Sequence, residues 1–271
     1  MLATRVIARL DIKPSLGVVK GVRFEGLRVI GDPRVLAAKY AAAGADELLY
    51  LDLTASLYGR NALVDLVRWT AGGEVWIPLT VGGGIRSVED VRALLRAGAD
   101  KVALNTAALA RPAFIRECAE QFGSQAIVVE VQAKRVQGAL GASRTDDLGG
   151  GRYPPIGPQG WEAYSLGGRE PSGREAREWA REAAGLGAGE ILLTSIDRDG
   201  TGQGFDLELI AALALDVPLI VSGGCRGPAD AQAALRLGAD AVAIGTWLHR
   251  GGDLGAFKQA LAGEGTHVRC D

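Results

Sequence analysis

An internal repeat relates the two halves of the chain. Residues 77–109 and 217–249 align without gaps at an offset of 140 residues and share 16 identities in 33 positions. A second match, at an offset of 143 residues, relates 44–56 to 187–199. A period this long indicates a duplicated half-domain and excludes a solenoid of short repeats.

Short apolar runs alternate with amphipathic stretches along both halves. Helical patterns such as 87–97 and 228–237 lie between most of the runs. Eight runs have strand character: 5–11, 47–53, 77–81, 101–105, 126–132, 190–196, 217–221 and 241–245. This alternation predicts an α/β fold, a single (β/α)8 TIM barrel over 1–271 made of half-barrels at about 1–122 and 123–271. An open doubly wound sheet is the alternative, but the G-x-G-x-x-G fingerprint is absent after the first strand.

The composition excludes several functional classes. Lys+Arg 30 against Asp+Glu 32 leaves a net charge of −2, so no basic excess is available to attract nucleic acid or anionic lipid. No apolar run approaches the roughly 18 residues of a membrane span. The N-terminus lacks a signal peptide, so a cytoplasmic location is expected. Three cysteines and two histidines in no ligand-like spacing predict neither a metal site nor a cofactor. The Gly- and Pro-rich segment 137–160 is predicted to be an inserted loop.

Glycine-rich turns after four predicted strands indicate two phosphate sites. Barrel sites form at the carboxyl ends of the strands, where glycines let backbone N–H groups approach an anion. One predicted site combines Gly83 and Gly84 with Asn105 and Thr106. Its repeat-related counterpart consists of Ser222, Gly223, Gly224, Gly245 and Thr246. Two such sites predict a substrate with a phosphate at each end, although glycines that only make tight turns are the alternative.

Polar residues near the predicted mouth are candidates for catalysis. Asp11 ends the first strand with no helix directly after it, which favours a general acid or base over a helix cap. Lys20 lies in the predicted loop 14–26 and is a candidate to close over an anionic ligand. The alternative is that Lys20 is an ordinary solvated lysine. The remaining candidate substrate-binding residues lie at the end of the sixth strand or just after it: Thr194, Asp199, Gly200 and Thr201.

Motifs over nearly the whole chain outside 137–160 carry a resemblance to a known enzyme family. They include RVIARLDIK, VVKG, DELLYLDLTAS, TVGGGI, GADKVALNTAA, FGSQAIVVE and GAGEILLTSIDRDGT. The chain thereby resembles the cyclase subunits of imidazole glycerol phosphate synthase, an enzyme of histidine biosynthesis. The resemblance implies a duplicated barrel that binds a bisphosphate ribulosyl–aminoimidazole. It also implies a glutaminase partner, in a heterodimer, that supplies ammonia through the barrel. The implied products are imidazole glycerol phosphate and an aminoimidazole carboxamide ribotide.

The resemblance also implies a general acid/base pair of aspartates ending the first and fifth strands. Asp11 matches the first of these. Gln132 stands at the second position, and the weak match of 6–13 to 126–134 independently places it opposite Asp11. A glutamine has no titratable proton, so it cannot be a general acid or base.

A second departure lies one inward-facing position lower on the same two strands. Alternation along a strand places Arg9 below Asp11 and Glu130 below Gln132, whereas the resemblance implies small or apolar residues there. Opposite charges at matched positions predict a buried ion pair between Arg9 and Glu130. The pair is open to three interpretations: packing, replacement of the missing acid by Glu130, or a narrowed or rerouted ammonia path.

Charged residues begin four of the predicted strands: Arg5, Glu47, Lys101 and Glu190. They predict a closed charged ring at the barrel floor. The resemblance implies that this ring is the gate facing the glutaminase, with Asp100 at the partner interface. A stabilising layer of ion pairs is the structural alternative.

The sequence favours an ammonia-dependent cyclase/lyase acting on a bisphosphate substrate. Three other functions stay open. A divergent paralogue would use ammonia on another phosphosugar or imidazole precursor. An aminoimidazole isomerase on the same fold would share the phosphate loops and need no ammonia gate. A catalytically inactive barrel would bind a phosphate ligand and regulate a glutaminase.

Overall fold

A closed parallel barrel forms the body of the molecule. The computed structural model describes residues 3–55, 63–136, 144–145, 152–153, 156–157 and 160–270. Within them the strands are β1 (Arg5–Lys13), β2 (Gly17–Val22), β3 (Glu25–Gly31), β4 (Glu47–Asp52), β5 (Leu79–Gly82), β6 (Lys101–Leu104), β7 (Ile127–Arg135), β8 (Arg144–Thr145), β9 (Arg152–Tyr153), β10 (Trp161–Ser165), β11 (Glu170–Glu175), β12 (Glu190–Ser195), β13 (Leu219–Ser222) and β14 (Ala241–Ile244). Eight of these pair in parallel in the order β1–β4–β5–β6–β7–β12–β13–β14, and β14 pairs back to β1. The predicted (β/α)8 barrel is confirmed.

Helices follow most of the barrel strands and cover their outer surface. They are α1 (Pro33–Ala42), α2 (Val64–Trp69), α3 (Val88–Ala97), α4 (Thr106–Ala110), α5 (Ala113–Phe122), α6 (Ala176–Gly185), α7 (Leu207–Ala211), α8 (Pro228–Arg236), α9 (Thr246–His249) and α10 (Leu254–Gly263). The helices predicted at 87–97 and 228–237 are confirmed as α3 and α8. A reciprocal capping box between Ser87 and Asp90 begins α3, and Gly98 in the left-handed conformation ends it. The predicted boundary between half-barrels, at about residue 122, stays a prediction.

Two antiparallel hairpins extend from the barrel at repeat-related positions. The hairpin β2–β3 pairs with the end of β1, and β10–β11 pairs with the end of β7. The loop predicted at 14–26 is therefore wrong, since Lys20 lies on β2. Most of the predicted loop 137–160 lies outside the described residues. The described part includes β8 and β9, which form a separate antiparallel pair.

The hydrophobic core has an inner and an outer layer. Alternate residues of the barrel strands, such as Ile7 on β1 and Val128 on β7, point inward and pack in the barrel interior. Their neighbours, such as Val6 and Ile127, point outward and pack under the helices. Because the alternation continues along each strand, it directs the side chains that follow Ile7 and Val128 on the same face into the interior.

A buried ion pair attaches the C-terminal helix to the start of the barrel. Lys258 on α10 donates to Asp46 at 2.8 Å and to the carbonyl of Gly44 at 2.7 Å. Asp46 also accepts the backbone N–H of Val6 at 2.8 Å. Both charged side chains are at least 95% buried, and Arg269, which lies 3.2 Å from Asp46, is more than half exposed.

We expect Lys258→Met to destabilise the protein by about 3 kcal/mol, because it leaves the buried Asp46 carboxylate without its main partner. Arg269 offsets this loss only in part. Urea unfolding followed by circular dichroism measures the change. Lys39→Met, on the exposed face of α1, is the matched control and should stay within about 0.5 kcal/mol of wild type. Equal stabilities of the two variants would contradict the role of the ion pair.

Candidate active site at the barrel mouth

The Arg9 side chain crosses the barrel interior and contacts three other barrel strands. Its Nε donates to Asp11 Oδ1 at 2.8 Å on its own strand. Its Nη1 donates to Thr194 Oγ1 on β12 at 3.1 Å and to Ser222 Oγ on β13 at 3.0 Å. The same nitrogen lies 3.9 Å from Glu130 on β7, so the predicted buried ion pair of Arg9 and Glu130 is present. Its distance is longer than the 2.8 Å between Arg9 and Asp11. Asp11 is the nearer partner of the guanidinium.

Asp11 is held between two cations at the centre of the mouth. Lys20, reaching in from β2, donates to Asp11 Oδ2 at 2.6 Å and to Asp199 at 2.8 Å. Burial raises the pKa of the Asp11 carboxyl, but the nearby charges of Arg9 and Lys20 outweigh burial and hold that pKa well below its usual range. Asp11 is therefore a carboxylate throughout the neutral range.

Glu130 and Gln132 share the opposite side of the mouth. Gln132 Nε2 donates to Glu130 Oε2 at 3.0 Å, and Thr194 donates to Glu130 Oε1 at 3.1 Å. Burial raises the pKa of Glu130, and the more distant Arg9 offsets this only in part. Gln132 Oε1 is buried, and no described residue forms a hydrogen bond with it. Asp11 on β1 and Glu130 on β7 thus have pKa values shifted in opposite directions.

The residues of the first predicted phosphate site lie together after β5 and β6. Gly83 has a φ of +103°, and a side chain there would meet the carbonyl of Asp52 at 2.4 Å. Gly84, Asn105 and Thr106 line the same cavity. Both polar atoms of the Asn105 side chain are buried without a partner among the described residues.

The residues of the second predicted phosphate site lie together after β13 and β14, on the opposite side of the barrel. Gly223 has a φ of +100°, and a side chain there would meet the Ser195 carbonyl at 2.7 Å. Gly224, Gly245 and Thr246 line the cavity beside it, and Thr246 Oγ1 is buried without a partner. The two sites therefore share a positive-φ glycine and unpartnered buried polar atoms.

A wider cavity of about 1120 Å³ connects the second site to the hairpin β2–β3. Gly200 and Thr201 line it together with Lys20 and His249. The hairpin is joined to the loop after β12, because Arg23 donates its backbone N–H to Asp199 at 2.8 Å. The mouth is covered on this side.

Two residues of the mouth had no predicted role. Phe24, with a φ of +62°, places its ring 5.7 Å from the Arg9 guanidinium. His249 bonds Tyr40 at 2.8 Å through Nδ1 and leaves Nε2 without a partner. Burial lowers the pKa of His249 to about 4, so its ring is neutral. The sequence feature that could have identified His249 was its position one helical turn after Thr246, a predicted phosphate-site residue.

The predicted charged ring closes at the barrel floor. Arg5 lies 2.8 Å from Glu47 and 3.0 Å from Glu190, and Lys101 lies 3.0 Å and 3.2 Å from the same two carboxylates. Each charge has two opposite neighbours. Asp100, beside the ring, is exposed and accepts the backbone N–H of Leu79.

Known proteins match the chain over its full length. The protein named imidazole glycerol phosphate synthase subunit HisF of Mycobacteroides abscessus is 52% identical over an alignment of 271 positions that covers 99% of each chain. The protein of the same name from Myxococcus xanthus is 48% identical over an alignment of 273 positions, which also covers 99% of each chain. The profile of the family described as histidine biosynthesis protein matches residues 5–253. This chain belongs to the HisF family.

Membership of the HisF family agrees with the predicted resemblance and with the placement of the candidate residues. The structure brings most of the predicted substrate-binding residues to one mouth. Thr194 is fully buried, and its hydroxyl is engaged by Arg9 and Glu130. Its predicted contact with substrate stays a prediction.

Two kinds of feature are missing from the part of the chain that the structure describes. None of its helices is long and apolar enough to cross a membrane. Its histidine, cysteine and acidic side chains form no group of three or more with metal-binding geometry.

The lowered pKa of Asp11 predicts a pH-dependent contribution to stability. An unfolded aspartate has a pKa of about 3.9, so between that value and the lower folded pKa the unfolded state binds more protons. Stability from Asp11 is therefore present above about pH 5 and is lost as the pH falls. We expect the gap in unfolding free energy between wild type and Asp11→Asn to shrink between pH 6 and pH 3.5.

Urea unfolding at these two pH values measures the gap. Asp65→Asn, an exposed position on α2, is the control and should show no such trend. A gap of equal size at both pH values would contradict the ionised state of Asp11.

Proposed function

We propose that the chain is the cyclase subunit of an imidazole glycerol phosphate synthase. In this proposal it combines ammonia with a bisphosphate ribulosyl–aminoimidazole and releases imidazole glycerol phosphate and an aminoimidazole carboxamide ribotide. The observation that carries the proposal is the pair of repeat-related glycine sites on opposite sides of Asp11, in a chain about half identical to HisF subunits.

Each phosphate is bound by backbone N–H groups and the unpartnered polar atoms of its site. Asn105 and Thr106 serve the first phosphate, and Thr246 with the neutral His249 serves the second. Anchoring both ends of a long substrate fixes its reacting centre over the middle of the mouth. That is where Asp11 and Lys20 lie, so binding energy is converted into orientation of the reacting atoms.

Asp11 acts in this site as a permanent carboxylate. Since Arg9 and Lys20 keep it ionised, it stabilises positive charge that develops on nitrogen as ammonia is incorporated. Lys20 is released from Asp11 or Asp199 when an anionic substrate competes for it. The group that supplies a proton must then be another residue.

Turnover with free ammonium tests the proposal directly. We expect the purified chain to convert the bisphosphate substrate at alkaline pH with ammonium salt, because free ammonia replaces the contribution of a glutaminase. Product formation is followed by chromatography. Binding of the substrate without turnover would favour an inactive regulatory barrel, and absence of binding would favour a paralogue with another substrate. Conversion without any requirement for ammonia would favour an isomerase.

We also propose that the charged ring at the floor faces a glutaminase partner and passes its ammonia. The closed cycle of Arg5, Glu47, Lys101 and Glu190 supports this, since it lies at the opposite end of the barrel axis from the mouth. Asp100 lies on the same exposed face and is proposed to contact the partner.

Lys101→Met tests the ring because it removes one cation and leaves Glu47 and Glu190 with Arg5 alone. We expect glutamine-driven turnover in the complex with the glutaminase to fall, while ammonium-driven turnover of the same variant stays at the wild-type value. A parallel loss of both activities would contradict a role confined to the floor.

A further inference from the structure

We propose that Glu130 is the proton-transfer group of this active site and that Gln132 positions it. The inference rests on the proposed cyclase function. It assigns to Glu130, one inward-facing position lower on β7, the task that Gln132 has no proton to perform. The resemblance implies an aspartate at the position of Gln132 and a small or apolar residue at the position of Glu130, so this role of Glu130 is not carried over from the family.

The geometry places Glu130 at the substrate. Its side chain lines the same cavity as Gly83, Gly84 and Asn105 of the first phosphate site. It is 95% buried, so a proton it transfers moves between the carboxyl and a bound ligand without exchange into bulk water. The carboxyl group is therefore within the space that a bound substrate occupies.

Gln132 fixes the Glu130 carboxyl and contributes a second polar atom. Its Nε2 donates to Glu130 Oε2 at 3.0 Å, which leaves its Oε1 free. This oxygen is buried and has no partner among the described residues, and Gln132 lines the same cavity. A carbonyl oxygen accepts hydrogen bonds, so it matches an N–H donor of the ligand. Ammonia being incorporated is such a donor.

The charged groups around Glu130 favour its ionised form less than those around Asp11 do. Arg9 is the nearest cation, and it lies 3.9 Å from Glu130 while bonded to Asp11 at 2.8 Å. Asp11 itself is anionic, and Asp52 lines the same cavity. The contact with Thr194 satisfies one oxygen without neutralising a charge. Burial raises the pKa of Glu130 in this setting, whereas Asp11 is held ionised by its two cations.

Opposite pKa shifts give two carboxyl groups of one active site different roles. Asp11 stays ionised and stabilises positive charge, and Glu130 transfers the proton. The proton-transfer step then balances as follows. The nitrogen lone pair of ammonia forms a bond to the ketone carbon of the ribulosyl chain, and the carbonyl π pair moves to oxygen. Glu130 gives its proton to that oxygen. The resulting carboxylate takes a proton from the new ammonium nitrogen, which Gln132 Oε1 holds, so Glu130 ends the step protonated.

The test compares Glu130→Gln with wild type in ammonium-driven turnover between pH 6 and pH 9, at a constant concentration of free ammonia. We expect kcat to fall at least about 100-fold, while KM for the bisphosphate substrate changes less than about threefold. Wild-type kcat should decrease as the pH rises and Glu130 loses its proton. That limb of the pH profile should be absent in the variant. Glu120→Gln, exposed on α5, is the matched control and should keep the wild-type profile.

A double variant separates chemistry from folding. Glu130→Gln combined with Gln132→Asp restores a carboxyl group to β7. We expect kcat of this double variant to be at least about tenfold higher than that of Glu130→Gln. If wild-type kcat does not decrease as the pH rises, the inference is overturned, even if Glu130→Gln fails to fold. Wild-type kcat in a folded Glu130→Gln variant overturns it and leaves the proposed function standing. Substrate binding by wild type without turnover overturns the proposed function and this inference together.

Discussion

The Arg9 guanidinium is the interaction on which the interior of this barrel depends. It is almost fully buried and reaches from β1 to hydroxyls on β12 and β13 and towards a carboxyl group on β7. A buried cation without partners would cost several kcal/mol, so the surrounding residues must be polar and correctly placed. The unequal distances from Arg9 to Asp11 and Glu130 contribute to the opposite pKa shifts of these two groups, and Lys20 lowers the pKa of Asp11 further. Arg9 thereby affects both the packing of the barrel centre and the acidity of the carboxyl groups at the mouth.

The duplicated scaffold is symmetric, whereas its chemistry is not. Asp100 and Asp240 each accept a backbone N–H at 2.8 Å at the starts of β5 and β13. Gly83 and Gly223 likewise have nearly equal φ angles and equivalent close contacts. Strands β1 and β7 depart from this symmetry in side-chain charge. Two repeat-related glycine turns therefore lie on either side of a mouth that has two different carboxyl environments.

The hairpin β2–β3 makes the mouth a covered site. Lys20 reaches Asp11 and Asp199, and Gly200 approaches Gly21 so closely that any side chain there would collide with its carbonyl. Phe24 covers the Arg9 guanidinium from above. Exclusion of water strengthens the charge interactions below the hairpin, because their effective dielectric constant is reduced. The hairpin thus links the strand that carries Asp11 to the loop that carries Asp199.

The sequence by itself determined the barrel, its duplication, the two glycine sites and the floor ring. Each follows from local periodicity or from residues that the repeat superposes, and these signals are present in short segments. It also placed Arg9 and Glu130 on the inner face of their strands, because alternation in a strand is fixed. Only the tertiary structure decided that Arg9 pairs more closely with Asp11 than with Glu130, that Lys20 comes from a strand, and that His249 and Phe24 reach the mouth. These outcomes depend on distances between segments far apart in the chain, and the balance of burial against charge that sets each pKa exists only once those segments pack.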